Sequence, residues 1–394
     1  GPAGGAPALS RANAIPNLGG STAGNGFILT DTGGLAVNGA VSGGPGSTSI
    51  STAGGALTQS GNLGGANVTL SSDADIALNG TTTTAGTLSL TAGGSVTGSG
   101  RVDAGTLTGA IGGSATLDNA GNTVGTLGAF SSGGSFSLVD SAGGLAVSGP
   151  ISGTSVSLTA GGAGSDITST GTITATAGNV TLNAGRNVML GADVDAAGAA
   201  AIAIGQAGSG GTFSAVAAVN TTGIAFTGGA GDDRFDLSGI TGPVAATIAG
   251  AGGSNTLTGR HVATTWTLGA TPGEGSTSDG ISSFTGIQRI VAGSATDTLA
   301  GPASTTYALT GTSNEVSAQG VLASGIEQIS GTGVANVLAG SNNATTWQLN
   351  GGNSVTVAGI AAGGMATIRG GTATDTVTAP ATTSFALDGT NGHV

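Results

Sequence analysis

Residues 48–109 write one short pattern four times: TSISTAGGALTQSG from Thr48, NVTLSSDADIALNG from Asn67, TLSLTAGGSVTGSG from Thr87 and TLTGAIGGSATLD from Thr106. The starts lie 19, 20 and 19 residues apart. Each copy holds two alternating apolar positions, a small or polar corner, and a second short alternating run. Strands put every second side chain on one face, and glycine supplies the backbone freedom that a corner needs. One such segment cannot bury its own apolar face. Stacked at the inter-strand spacing of about 4.8 Å, successive segments close a core and satisfy one another's backbone groups. A period of about 20 residues with these properties predicts a parallel β-solenoid with coils of about 20 residues. The alternation places Val68, Leu70, Ile76, Leu78, Leu88, Leu90, Val156, Leu158, Val180 and Leu182 inside.

Composition decides between this reading and a disordered glycine-rich linker. The 394 residues include 81 Gly, but only 9 Pro, and 38% are hydrophobic. Periodic β-branched residues are what disordered chains lack. Aromatics make up 3%, which suits a narrow core filled by Val, Leu, Ile and Ala.

The same pattern extends in both directions. A lead-in of Gly, Ala, Ser and Asn (1–26) precedes FILTDTGGLAVNGAVSG, where alternation begins at Phe27. The stretch 13–43 echoes 122–153: Phe27 corresponds to Phe136, Leu35 to Leu145, and Asn67 to Asn179, at offsets of 109–112. The 19–20-residue coils are expected to run over 27–204, followed by a looser segment at 205–227 with a glycine-rich loop at 205–212. From 228 to 394 the period lengthens. NTLTG (255–259), DTLAG (297–301), NVLAG (336–340) and DTVTA (375–379) recur at about twice the earlier spacing. A unit of about 40 residues reads as two coils of about 20 residues each. One aromatic (Trp266, Tyr307, Trp347, Phe385) marks each unit, a candidate core residue and a candidate stacked ladder.

Charge narrows the partners. Against 19 Asp and Glu stand 7 Arg and no Lys, a net charge of -12, and nucleic acid or an anionic membrane needs clustered cations instead. The longest apolar run is ten residues, too short for a membrane span, so no membrane insertion is expected. No Cys is present, in keeping with a secreted bacterial protein. The first residues lack the charged start and apolar segment of a signal peptide, so the chain reads as an internal or processed piece.

The repeat, the string NVTLNAGRNVMLGADV (179–194) and the blocks SFSLVDSAGGLAVSGPISG and TITATAGNVTLNAG resemble filamentous-haemagglutinin-type exoproteins. The units of 228–388, with Gly325-Ile326-Glu327 and the phrase from Gly293 to Leu299, resemble related beta-strand-repeat surface proteins. The resemblance implies a right-handed parallel β-helix exported by two-partner secretion to the surface of a Gram-negative bacterium, where many members are adhesins. Expected partners are the chain itself end to end or neighbouring segments of a longer chain, with host or surface glycans as a further candidate.

Candidate chemistry is sparse. GGAGDDRFD (228–236) matches one calcium-binding nonapeptide, with Gly229, Gly231, Asp233 and Asp236 as the ligand region and Phe235 inward. That geometry uses tandem copies, and the next nine residues do not match, so a Gly-Asp corner turn is expected, with neither metal nor cofactor. His261 and His393 are the only histidines. Carboxylates cluster only at Asp73/Asp75, Asp193/Asp195 and Asp232/Asp233/Asp236, read as outward groups that keep the chain soluble. An enzyme is not expected; a carbohydrate-active β-helix enzyme or a self-assembling filament are the alternatives to a structural shaft.

Overall fold

The computed structural model describes residues 8–242 and 244–381, and every regular element among them is a β-strand. The chain divides into two compact units, Gly1–Ile224 and Ala225–Val394. The division falls inside the expected looser segment.

In the first unit every coil contributes to three strand columns, all parallel. One runs from Phe27–Asp31 through Thr48–Thr52 and Val68–Ser72 into Thr82–Ala92. A second stacks Leu35–Val37, Leu57–Gln59 and Ile76–Leu78. The third carries Ser21–Thr22, Val41–Ser42 and Leu63–Gly64. Val68 pairs with Thr48 one coil behind and with Leu88 one coil ahead, so the coil length is the sequence period. All ten expected core positions are buried, with Leu70, Leu88 and Leu90 at 0% exposure. Glycines stack at one corner for a steric reason. A Cβ on Gly61 would lie 2.0 Å from the Gly39 carbonyl oxygen, and one on Gly100 would lie 2.1 Å from that of Gly80.

Two features differ from expectation, and a third meets it. First, the lead-in is already coiled: Ala8 pairs with Ile28, Asn17 with Ala36 and Ser21 with Val41. Its signal in the sequence is weak because Leu9 and Leu18 are single apolar residues at the positions of Leu29 and Val37, and Ser21 stands where later coils carry Val41 and Leu63. Second, the echo is not a whole number of coils. Phe27–Asp31 stands in one column, but its counterpart Phe136–Asp140 stacks on Ala115–Leu117, in the column of Leu35–Val37. The second copy therefore begins five coils and one side later. The shift is made at Thr123–Ser132, where the register slips between Leu107 and Gly109. There Phe130 stacks on Phe136 with ring centroids 4.2 Å apart. Gly109 makes the room, since a Cβ would lie 2.5 Å from the Phe130 ring. Third, the coil is not constant. Val180 pairs with Ala200, but the loop after Ile204 lengthens its coil, so that Val188 finds its partner only at Phe213. Gly205, Gly208 and Gly210 turn that loop with positive φ, as the sequence suggested for 205–212.

The second unit climbs differently, and the two-coils-per-repeat expectation is corrected here. Leu257 pairs with Ile290 and Trp266 with Leu299, so each strand meets its parallel partner before a full repeat has passed. The rest of the repeat is taken up by a three-strand antiparallel meander. Thr265–Leu268 pairs antiparallel with Gly275–Thr277, which pairs with Ile281–Thr285. The next repeat does the same with Thr306–Leu309, Glu315–Ala318 and Val321–Ser324, and the third with Thr346–Gly351, Ser354–Val357 and Ile360–Gly363. The meanders lie alternately in one sheet and the other. Each inserts a reversed strand between two parallel neighbours, so that strand has no open backbone edge.

The aromatics follow from this. Trp266, Tyr307 and Trp347 are buried, at 1%, 0% and 1% exposure. They form no ladder, because each pairs with a strand that arrives before the next aromatic does: Trp266 with Leu299, Tyr307 with Leu338, Trp347 with Val377. Phe385 lies outside the described residues.

Candidate functional site

Side-chain chemistry in both units concentrates at the corners, where a strand ends and backbone N–H groups lose their ladder partners. Outward Asn and Asp accept from the coil that follows. Asn67 Oδ1 takes the Thr87 N–H at 2.8 Å, Asp75 Oδ1 that of Ser95 at 2.7 Å, Asn179 Oδ1 that of Ala199 at 2.9 Å and Asp193 Oδ1 that of Ala218 at 2.9 Å. Asp195 accepts from the Asn220 side chain. The exposed carboxylates are thus stacking groups as well as solubilising ones, which alternation alone does not reveal.

Inward Asn and Asp reach the other way, to the preceding coil. Asp31 Oδ2 accepts from Ile15 N–H, Asn122 Oδ1 from Val102, and Asp140 Oδ1 from Val124. In the second unit Asn255 Oδ1 accepts from Asp233 N–H, Asp297 Oδ1 from Thr264, Asn336 Oδ1 from Thr305 and Asp375 Oδ1 from Thr345. The last three fix the start of each aromatic strand, two residues before Trp266, Tyr307 and Trp347.

The calcium-type motif belongs to this system. Asp233 is buried, and its Oδ2 accepts from the Gly229 N–H at 2.7 Å. Asp375 repeats the arrangement with Gly371. Asp232 points outward and takes the Ser254 N–H. Asp236 is held by Ser238 and pairs with Arg234 at 2.9 Å. Gly231 lies at the turn beside Gly253, whose added Cβ would lie 2.3 Å from the Gly231 carbonyl oxygen. The motif's carboxylates are therefore divided among separate protein partners. Among the described residues no group of three His, Cys, Asp or Glu is placed to hold a metal ion.

The carboxylate clusters do not converge on a cleft. Asp73 and Asp75 sit in the exposed bend between Val68–Ser72 and Ile76–Leu78. A shallow groove of about 460 Å³ in the first unit is lined by Thr83, Asp103, Thr123, Val124 and Gly143. Its one carboxylate, Asp103, is engaged by Arg101 at 2.6 Å and by the Thr123 hydroxyl at 2.6 Å. His261 Nδ1 accepts the Ser294 N–H; His393 lies outside the described residues. The groove thus offers one carboxylate, held by Arg101 and Thr123.

Two buried carboxyls stand apart. Asp140 is fully buried with Oδ2 unpartnered, and burial pushes its pKa up to about 6 against the N–H groups of Val124 and Ala142. Asp297 is fully buried with Oδ2 likewise unpartnered, and burial raises it to about 6, with Thr264 N–H opposing and Glu327 reinforcing the rise. The opposite case is exposed: the Arg186 guanidinium beside Asp166 holds that carboxyl below its usual range. Neither buried group stands out as a site in the sequence. In FSLVD, however, Phe136, Leu138 and Asp140 share one parity, so an inward Asp is already written there.

No family model matches the chain, and neither a curated protein nor a solved structure matches it.

Proposed function

We propose that this chain is a structural shaft, a segment of a secreted surface protein of a Gram-negative bacterium that holds an adhesive or fibre-forming region away from the cell. The observation that carries the reading is the direction of bonding. In the first unit, strand ladders, glycine corners and outward Asn and Asp all join each coil to the next, so successive coils add length. Rigidity comes from a continuous apolar core. The resemblance of 179–194 and its neighbours to filamentous-haemagglutinin-type exoproteins agrees with this, as do the acidic balance and the lack of Lys and Cys. The function needs no cofactor and no catalysis.

The test is binding. Purified chain presented to glycan arrays, to epithelial cells and to itself should bind none of them appreciably. Saturable binding to one glycan class would replace the shaft with a ligand-binding module. Growth into filaments, followed by electron microscopy, would replace it with a self-assembling fibre.

A further inference from the structure

At the corner that opens the strand Thr298–Gly301, the carboxylate of Glu327 closes on the backbone of the buried Asp297. Asp297 has 0% exposure; its Oδ1 is occupied by the Thr264 N–H at 3.0 Å, and its Oδ2 has no hydrogen-bond partner. The buried Trp266 indole N–H is near enough to favour the charged carboxyl but closes no hydrogen bond of its own. Glu327 is pinned alongside: Oε2 accepts Asp297's own N–H at 2.9 Å and Oε1 accepts from the Asn314 amide at 2.9 Å.

One repeat earlier the same corner is built without charge. Asn255 stands where Asp297 does, and Gln288 stands where Glu327 does. Asn255 N–H donates to Gln288 Oε1 at 2.7 Å, the counterpart of the Asp297–Glu327 bond. Asn255 Nδ2 donates to the Gly252 carbonyl, and in the repeat after Asp297 the Asn336 Nδ2 donates to the Gly333 carbonyl. A neutral amide pair thus suffices for the fold. The Asp297–Glu327 version differs from Asn255–Gln288 chiefly in the protons it binds.

The geometry points to a proton-operated clasp at this corner: uptake of one solvent proton on Asp297 makes the pair resemble Asn255–Gln288 and tightens the second unit, and loss of that proton loosens it. The direction follows from linkage. Burial first, and Glu327 after it, raise the folded carboxyl to about 6, above the ordinary value of 3.8. A raised carboxyl contributes stability in full below the unfolded value and loses it as pH climbs through the folded one. The second unit is therefore firmer near pH 4.5 than at pH 7.5 as far as this corner is concerned. Ionisable groups on the adjoining segments are occupied. His261 accepts from Ser294 N–H, Arg260 is paired with Asp279, and Glu315 accepts from the Thr310 hydroxyl.

Both tryptophans of the chain, Trp266 and Trp347, belong to the second unit. Tryptophan fluorescence of the full chain therefore reports this unit. Wild type should melt several degrees higher at pH 4.5 than at pH 7.5. Asp297→Asn should flatten that dependence and melt at pH 7.5 as high as wild type does in acid, and Glu327→Gln should move the midpoint of the dependence to lower pH. Parallel pH curves for wild type and Asp297→Asn would overturn the proposal. If Asp297→Asn does not fold, carbon-13 titration of wild-type carboxyls decides: a midpoint near 6 for Asp297 supports the clasp, and one near 4 overturns it.

Discussion

The first unit stacks every strand on the strand one coil earlier, and each coil takes about as many residues as the sequence repeat. The second unit interposes a reversed strand in each repeat, so pairings such as Trp266 with Leu299, Leu299 with Ile329 and Tyr307 with Leu338 close before the repeat is complete. Both bury alternate residues in a parallel framework, yet they differ in what one repeat accomplishes. In the first unit a repeat is a self-similar layer. In the second it is an interlocked element whose meander lies between strands contributed by other repeats. Modularity therefore belongs to the first unit and mutual dependence to the second.

Deletion should expose this difference most strongly. Removing residues 68–87 joins Asn67 to Leu88, which already stacks on Val68, so all three columns stay in phase. The far-ultraviolet spectrum should keep its shape and the melting temperature should fall only modestly, as nearest-neighbour stacking predicts. An equally long deletion at 299–318 takes out Leu299 and Tyr307, the partners of Trp266 and Leu338, and should abolish the cooperative fluorescence melt of the second unit. Equal tolerance of the two deletions would erase the contrast.

Point substitutions test it more finely. Leu90→Asp buries an unpaired charge between Leu70 and the Gly109 position and should cost about 4 kcal/mol or more. Chemical denaturation read by circular dichroism would check this, and an unchanged midpoint would mean that Leu90 faces outward. Gly109→Ala pushes against a Phe130 ring already stacked on Phe136, so a loss of about 1–3 kcal/mol is expected. A neutral outcome would show that the one-side shift of the duplicated block does not depend on this packing.

The smallest effects concern charge. Asp140 lies beside Ala160 in the next coil, so the fold does not require a carboxyl there. Its pKa, raised from 3.8 to about 6, costs stability as pH climbs from the ordinary value through the raised one. Asp140→Asn should therefore raise the circular-dichroism melting temperature at pH 7.5, and by much less at pH 4.5. Millimolar calcium should move the melt by no more than about one degree, because weak binding contributes little when ligand is near or below Kd. A rise of several degrees that Asp233→Ala removes would show that a coil not adjacent in sequence supplies further oxygen ligands.

Reading these features from the chain succeeds where the controlling physics is local. The alternation in VTLSS, LSLTA and VSLTA settles which side chains are buried, because the side-chain period of a strand is two whatever its partner. The spacing of those runs gives the coil of the first unit, and the glycine loop after Ile204 can be placed. The nonapeptide is recognisable by inspection as a single copy without a tandem neighbour. The corner system is only partly legible: Asn67, Asp75 and Asp193 are visible as polar corner residues, but their acceptor role depends on which backbone passes 20–25 residues later.

By itself, then, the sequence determined an all-β stacked fold, its buried face, the coil length of the first unit and the absence of Lys and Cys chemistry. Tertiary structure alone decided which column each strand joins, where the duplicated block steps by one side, and that the strand after Trp266 reverses. Parallel and antiparallel strands share one side-chain period, so direction leaves no mark on the alternation. The inward parity of Asp140 was written in FSLVD, but its unpartnered oxygen, and the meeting of Asp297 with Glu327, were not. Those depend on a neighbouring chain segment 16 to 30 residues away, and only the packed molecule brings it there.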